Sequence, residues 1–131
     1  MSDAAQTLLA RTEAALAPLG AVERADDGSL RFEYSGALCS VSAMTLTDGL
    51  DVLALTCVLA WDVPASDAVP QRIATLNADI QFGTVLAVDR GETVDVILRY
   101  TFPAGGLDDT ALTTMVLLVL SATADARETL A

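Results

Sequence analysis

The spacing of apolar residues changes near residue 30, from the three- and four-residue steps of a helix to the two-residue steps of a strand. Over residues 3–19 the apolar side chains recur with helical spacing, which predicts a helix with one buried face. From Leu30 onward apolar and polar residues alternate, and alternation places them on opposite faces of a sheet. The two periods together predict an α+β fold in which helices pack on a sheet.

Turn and cap signals divide the chain into eight elements. Helices are predicted at residues 3–19, 66–81 and 108–127, and five strands at 30–35, 37–46, 50–61, 84–89 and 94–102. The order is therefore α-β-β-β-α-β-β-α. The 131 residues suit one domain, 1–131, and the tight turns between strands predict a largely antiparallel five-stranded sheet.

The strand predicted at residues 50–61 is apolar on both faces. One face carries Leu53, Leu55, Cys57 and Leu59, and the other carries Val52, Ala54 and Val58. Strands of this kind are usually central and covered on both sides, but the sequence leaves open whether the outer face of this sheet is covered.

The composition excludes most catalytic and metal sites. There is no His, all seven basic residues are Arg, and 18 acidic residues give a net charge of −11. Without His the chain cannot build a Ser-His-Asp or Cys-His site or a His-containing zinc site. A pair of carboxylates could act without His, but no motif places one, so we expect neither an enzyme nor a cofactor.

The two cysteines, Cys39 and Cys57, fit no close-pair metal or redox spacing, and each is predicted to be a small buried residue. A disulfide between them requires neighbouring strands with the right geometry.

Charge and hydropathy also bear on location and partners. The N-terminus has no signal-peptide pattern, and the uncharged stretch 110–124 is 15 residues, short of a membrane span. A net charge of −11 repels nucleic-acid phosphates and anionic lipid. We therefore expect a cytoplasmic protein that binds neither nucleic acid nor membrane.

The stretch Leu76–Asp89, reading LNADIQFGTVLAVD, carries a family resemblance. It resembles the YbjN-like domain, in which a helix carrying an Asn ends in an apolar-Gly step directly before a strand. The continuation is similar too: a long alternating strand ends in Arg99-Tyr100-Thr101-Phe102-Pro103, and a Gly loop leads to a helix that opens with Leu107 and acidic residues.

The resemblance implies the fold of type III secretion chaperones, which are small, acidic and usually homodimeric. It implies function only loosely, through links of the family to regulation and stress responses, and it supplies no catalytic residues. The two pattern positions, Asn77 and Gly83, have structural explanations. Asn77 could bond backbone at the helix–strand junction, and Gly83 permits a sharp exit or close packing.

The last predicted helix is apolar nearly all round and therefore needs cover on two sides. Either the first helix buries the excess, or, as we favour, the helix forms a homodimer or partner interface. The candidate interface residues are Leu112, Met115, Val116, Leu117, Leu118, Val119 and Leu120.

Three further features could carry function. The acidic pairs Asp26-Asp27 and Asp108-Asp109 could hold a hard cation, but a turn and a helix cap explain them better. A sheet face without helical cover would offer a partner surface at Ser40, Ser42, Thr56, Asp95, Ile97 and Arg99, with Arg99 beside Asp95 as a solvated ion pair. An apolar pocket could form near Phe32, Tyr34, Trp61, Tyr100 and Phe102, although a lone Trp more often packs under the following helix.

The sequence thus predicts a non-enzymatic protein-binding module, chaperone-like or regulatory, that acts as a homodimer and holds a segment of a partner protein. The alternative is a small-molecule sensor or carrier with a pocket between sheet and helices.

Overall fold

Six strands form one antiparallel sheet in a computed structural model that describes all 131 residues. The strands are β1 (Val22–Arg24), β2 (Leu30–Tyr34), β3 (Ala37–Thr47), β4 (Leu50–Pro64), β5 (Thr84–Asp89) and β6 (Thr93–Pro103). Their order across the sheet is β1-β2-β3-β4-β6-β5, so β6 lies between β4 and the edge strand β5. The α+β class and the antiparallel sheet predicted from the sequence are confirmed.

Three helices accompany the sheet: α1 (Asp3–Leu16), followed by a 3-10 turn (Ala17–Leu19), α2 (Ala68–Asp79) and α3 (Asp109–Leu130). Ser2 caps α1 by accepting the Ala5 N–H at 3.0 Å, and Asp108 caps α3 by accepting the Ala111 N–H at 2.8 Å. The predicted range of α2, 66–81, is too long by two residues at each end. This helix begins at Ala68, and its N-cap residue, Asp67, makes no side-chain capping bond.

The expectation of five strands is wrong because β1 adds a sixth. Its residues pair in antiparallel register with β2, from Val22 opposite Phe32 to Arg24 opposite Leu30. The segment has three residues and only one apolar side chain, so it has no alternation long enough to predict a strand. It pairs at the sheet edge, where a neighbour rather than its own pattern determines its structure.

All three helices lie on one face of the sheet, which we call the inner face. Helices α1 and α3 pack together over β3 and β4, and α2 packs against β5. The core joins apolar residues of these helices to the inner positions of the strands, including Leu53, Leu55 and Leu98. Strand β4 is central in the sheet, as predicted, and the helices cover only its inner face. On the opposite, outer face Val52 is buried by its neighbours, while Ala54 and Val58 stay half-buried.

The turn between β2 and β3 ties the sheet to the end of α3. Ser35 and Gly36 have φ angles of 48° and 79°, the left-handed pair that a tight two-residue hairpin requires. The Arg127 guanidinium of α3 donates a hydrogen bond to the Ser35 carbonyl at 2.7 Å. The φ angle requires glycine at position 36, and a Cβ there would lie 2.8 Å from that guanidinium and displace it.

Candidate functional site

Helix α3 divides the residues predicted to form an interface into two groups. Leu112, Val116, Val119 and Leu120 are buried in the chain's own core against α1 and the sheet, so their assignment to an interface is wrong. Met115 is half-buried against the same core. Only Leu117 and Leu118 remain exposed, at 36% and 37%. The apolar excess predicted for this helix is therefore mostly satisfied within one chain.

Leu118 nevertheless lines a groove between α2 and α3. The groove has a volume of about 350 Å³, and its apolar lining comes from Leu76, Ile80, Phe82, Leu118, Ala122 and Ala126. Two exposed carboxylates, Asp79 and Asp125, stand on its rim, and no basic side chain lines it. The groove is thus a concave apolar strip with negative edges.

Asn77 and Gly83 hold the segment that carries Ile80 and Phe82, as the sequence predicts. The Asn77 Nδ2 donates to the Val85 carbonyl at 3.0 Å, and its Oδ1 accepts the Val85 N–H at 2.8 Å. Gly83 has φ 133°, and a Cβ there would lie 2.7 Å from Leu98. Sequence reasoning did not place Ile80 and Phe82 in a groove, although two apolar residues directly beyond a helix end could have signalled it.

The outer face of the sheet is the largest uncovered surface. One row across it runs Arg31, Ser40, Thr56, Arg99 and Thr84 in direct register. Exposed apolar side chains flank this row on β3: Leu38, Met44 and Leu46, the last 60% exposed. The partner surface predicted at Ser40, Ser42, Thr56 and Ile97 therefore faces away from the helices. Each of these four residues is half-buried among its sheet neighbours.

Asp95 also points to the outer face, but it is buried and paired within the chain. Its carboxylate accepts a bond from the Arg90 Nε at 3.0 Å and from the Asp62 N–H at 3.0 Å. The Asp62 N–H and the Arg90 guanidinium hold the pKa of Asp95 below its ordinary value. The predicted pairing of Asp95 with Arg99 is therefore wrong. Asp62, with φ 51°, lies at an irregularity of β4 that turns its N–H toward Asp95.

The five aromatic residues predicted to share a pocket do not come together. Phe32 and Tyr34 lie on β2, whereas Tyr100 and Phe102 stack on β6 at 5.4 Å, with β3 and β4 between the two pairs. The two pairs of aromatic residues are therefore separated by three strand spacings, about 14 Å. Trp61 on β4 is 57% exposed, so it does not pack under the following helix. A cavity between α2 and the sheet has a volume of only about 30 Å³.

The acidic pairs have local partners. Asp27 accepts hydrogen bonds from the N–H and the hydroxyl of Ser29, and these bonds lower the pKa of its carboxyl. Asp108 caps α3, and Asp109 forms a 2.8 Å ion pair with Arg11. No group of three or more His, Cys, Asp or Glu side chains comes together in a way that could hold a metal ion.

One helix, α3, is long and apolar enough to cross a membrane: it has 22 residues, and an 18-residue stretch of it has a mean hydropathy of 1.2. Length and composition alone meet this criterion, and core helices of soluble proteins meet it as well. Here its buried stripe packs on α1 and the sheet.

Comparison with known proteins finds no family model that matches the chain and no curated protein of similar sequence.

Proposed function

We propose that this chain is a protein-binding module that forms a homodimer and holds a segment of a partner protein, without catalysing a reaction. The observation that carries the proposal is the uncovered outer face of the sheet. Its exposed side chains on β3 include Leu38, Met44 and Leu46, apolar surface that a partner would remove from water.

A second copy of the chain is the occupant that the outer face fits best. The strand lengths and spacings give this face roughly 700 Å², close to the roughly 800 Å² that each partner of a standard interface buries. Two chains of net charge −11 repel each other. On β3 the outer positions carry no charged residue, and on β6 they carry only Arg99 and the paired Asp95. A contact centred on β3 and β6 therefore brings few carboxylates together, because the other acidic residues of this face, Glu23, Glu33 and Asp62, lie on β1, β2 and the irregular end of β4.

The groove between α2 and α3 is the proposed site for the partner segment. Its apolar lining suits the apolar face of a helix or an extended strip of side chains. The carboxylates of Asp79 and Asp125 favour basic residues at the edges of that segment. The groove lies on the helical side of the sheet, so a dimer formed through the outer face leaves it open.

The relation to YbjN-like domains and the type III secretion chaperone fold also belongs to this proposal. The helix, strand and turn order supports it, with β1 as an additional strand, and so do the positions of Asn77 and Gly83. A cytoplasmic location is part of the same proposal.

The oligomeric state tests the contact between copies. We expect light scattering to give a dimer for the natural chain, strengthened by salt because salt screens the repulsion between acidic copies. The double variant L38E/M44E should be a monomer. Leu19 is 41% exposed and lies off the sheet, whereas Leu38 is 43% exposed. The matched control L19E should therefore remain a dimer. A monomeric natural chain, or a dimer that survives L38E/M44E, contradicts the proposed contact.

The two adjacent leucines of α3 test the groove. A labelled amphipathic helical peptide with a leucine face and lysine flanks should bind the natural chain. L118E should abolish this binding, because Leu118 lines the groove, and L117E should retain it, because Leu117 does not. The two residues are equally exposed, so equal binding to both variants would contradict a role for the groove. A peptide with glutamates in place of the lysines should bind more weakly.

A further inference from the structure

Cys39 and Cys57 lie directly opposite each other on β3 and β4. They are register partners in the antiparallel ladder, both face the core, and both are free thiols. The Cβ atoms of such partners are about 4.5–5.5 Å apart, and a disulfide needs about 3.5–4.5 Å. Closing the bond therefore requires a shift of no more than about 1–2 Å by these estimates.

The surroundings make the two thiols unequal. The Cys39 thiol donates to the Ala37 carbonyl at 3.6 Å. The adjacent Cys57 thiol, together with burial, raises the pKa of Cys39 far above its ordinary value. The adjacent Cys39 thiol and the hydroxyl group of Thr123 on α3 lower the pKa of Cys57. Of the two thiols, Cys57 is therefore the one that loses its proton more readily.

We propose that this pair is a reversible modification site, at which a hydroperoxide joins Cys39 and Cys57 in an intramolecular disulfide. The Cys57 thiolate attacks one peroxide oxygen, the O–O bond breaks, and hydroxide leaves, so that Cys57 becomes a sulfenic acid. The Cys39 sulfur then attacks the Cys57 sulfur, the S–O bond breaks, and water leaves after taking up the thiol proton. Two thiols are oxidised and one peroxide is reduced.

The burial of the two thiols determines which oxidants can reach them. Both thiols are almost fully buried, so the oxidant reaches them only when the structure opens locally. Hydrogen peroxide is small enough to enter through a slight opening, whereas a bulky disulfide such as oxidised glutathione requires a larger one. The bond would link the two strands that contribute most of the outer face. It forms whether or not that face binds a second copy, so this proposal stands independently of the proposed function.

The test is mass spectrometry of the natural chain after timed exposure to hydrogen peroxide, followed by denaturation and alkylation. We expect the monomer to lose the mass of two hydrogen atoms and to gain no alkyl groups. Dithiothreitol should restore two alkylatable thiols. The thermal midpoint of the oxidised chain should rise by several degrees, because the link restricts the unfolded chain.

The single variants C39A and C57A are the controls. Each keeps one thiol and should form no intramolecular disulfide, and neither should show the rise in thermal midpoint. The proposal is overturned if the natural chain keeps two alkylatable thiols throughout, or if peroxide adds oxygen atoms without removing hydrogens. A disulfide found only between two chains overturns it as well.

Discussion

Asn77 joins the end of α2 to the edge strand β5, and the removal of its amide tests how the groove is held in place. Its side chain satisfies both backbone polar groups of Val85, at 3.0 and 2.8 Å. Because β5 lies at the edge of the sheet, no further strand lies on that side to bond these groups. Val85 is buried, so water replaces the lost bonds poorly.

The structure sets the magnitude of the effect of Asn77→Ala. Each hydrogen bond contributes about 1 kcal/mol net, and each buried group left without a partner costs about 1–3 kcal/mol. The two groups together therefore cost about 2–6 kcal/mol. The better helix propensity of alanine returns about 0.5 kcal/mol. We expect the free energy of unfolding to fall by about 1.5–5.5 kcal/mol, a large part of the stability of a domain this size.

Urea unfolding, followed by the fluorescence of Trp61 and by circular dichroism, measures this loss. Asn77→Asp keeps the acceptor for the Val85 N–H but turns a carboxylate oxygen toward the Val85 carbonyl, so it should be at least as harmful. Gln81→Ala, at a nearby exposed position, should change little. If Asn77→Ala stays within about 0.5 kcal/mol of the natural chain, the two bonds carry no net stability. The account of how the groove is positioned would then be wrong.

Three further substitutions have expected outcomes. The pKa of Asp95 lies below its ordinary 3.8, so its interactions stabilise the fold above that pH and are lost as pH falls through the folded-state value. D95N should therefore have a lower free energy of unfolding at neutral pH and should lose less of it when the pH is lowered. The control D48N, at an exposed turn, should lose as much on acidification as the natural chain. Ser35→Asn should raise the urea midpoint slightly, because Asn-Gly suits a turn with two positive φ angles, and a fall would contradict the turn assignment. Gly83→Ala should cost about 1–3 kcal/mol by crowding a β6 side chain, which thermal unfolding measures, and an unchanged midpoint would contradict that crowding.

The alternating strands could be predicted from the sequence because their pattern reflects burial on one side. β5 matches its predicted range, 84–89, and β6 differs from its predicted range by one residue at each end. β4 runs to Pro64, three residues beyond its predicted end, because irregular pairing carries it past Trp61. An irregular pairing of this kind leaves no period in the sequence.

The sequence could not predict which face of the sheet the helices cover. Val52, Ala54 and Val58 make the second face of β4 apolar, as a strand buried on both sides would be. The chain has only three helices, and all three pack on the inner face. An apolar strand face has the same composition whether a helix of the same chain or another molecule covers it, so only the arrangement of the helices distinguishes the two.

The interface prediction for α3 was wrong for a related reason. The helix does carry a wide apolar surface. Because it packs on both the sheet and α1, these two neighbours together bury most of that surface. Spacing along a helix shows how wide its apolar face is, not how many neighbours share it. Leu117 and Leu118 are the residues left over, and only the position of α2 decides that one of them lines a groove.

The distribution of arginines links the charge of the chain to its open face. Five of the seven bond to a carboxylate or a backbone carbonyl within the chain: Arg11, Arg24, Arg72, Arg90 and Arg127. The other two, Arg31 and Arg99, form no ion pair and lie in the same row of the outer face. Glu23 lies directly opposite Arg31 and Glu33 lies opposite Leu38, so the β1–β2 edge of this face carries both signs of charge. Like charges keep acidic chains apart, so a second acidic chain meets less repulsion near Arg99 than at that edge, and the apolar side chains on β3 supply the attraction.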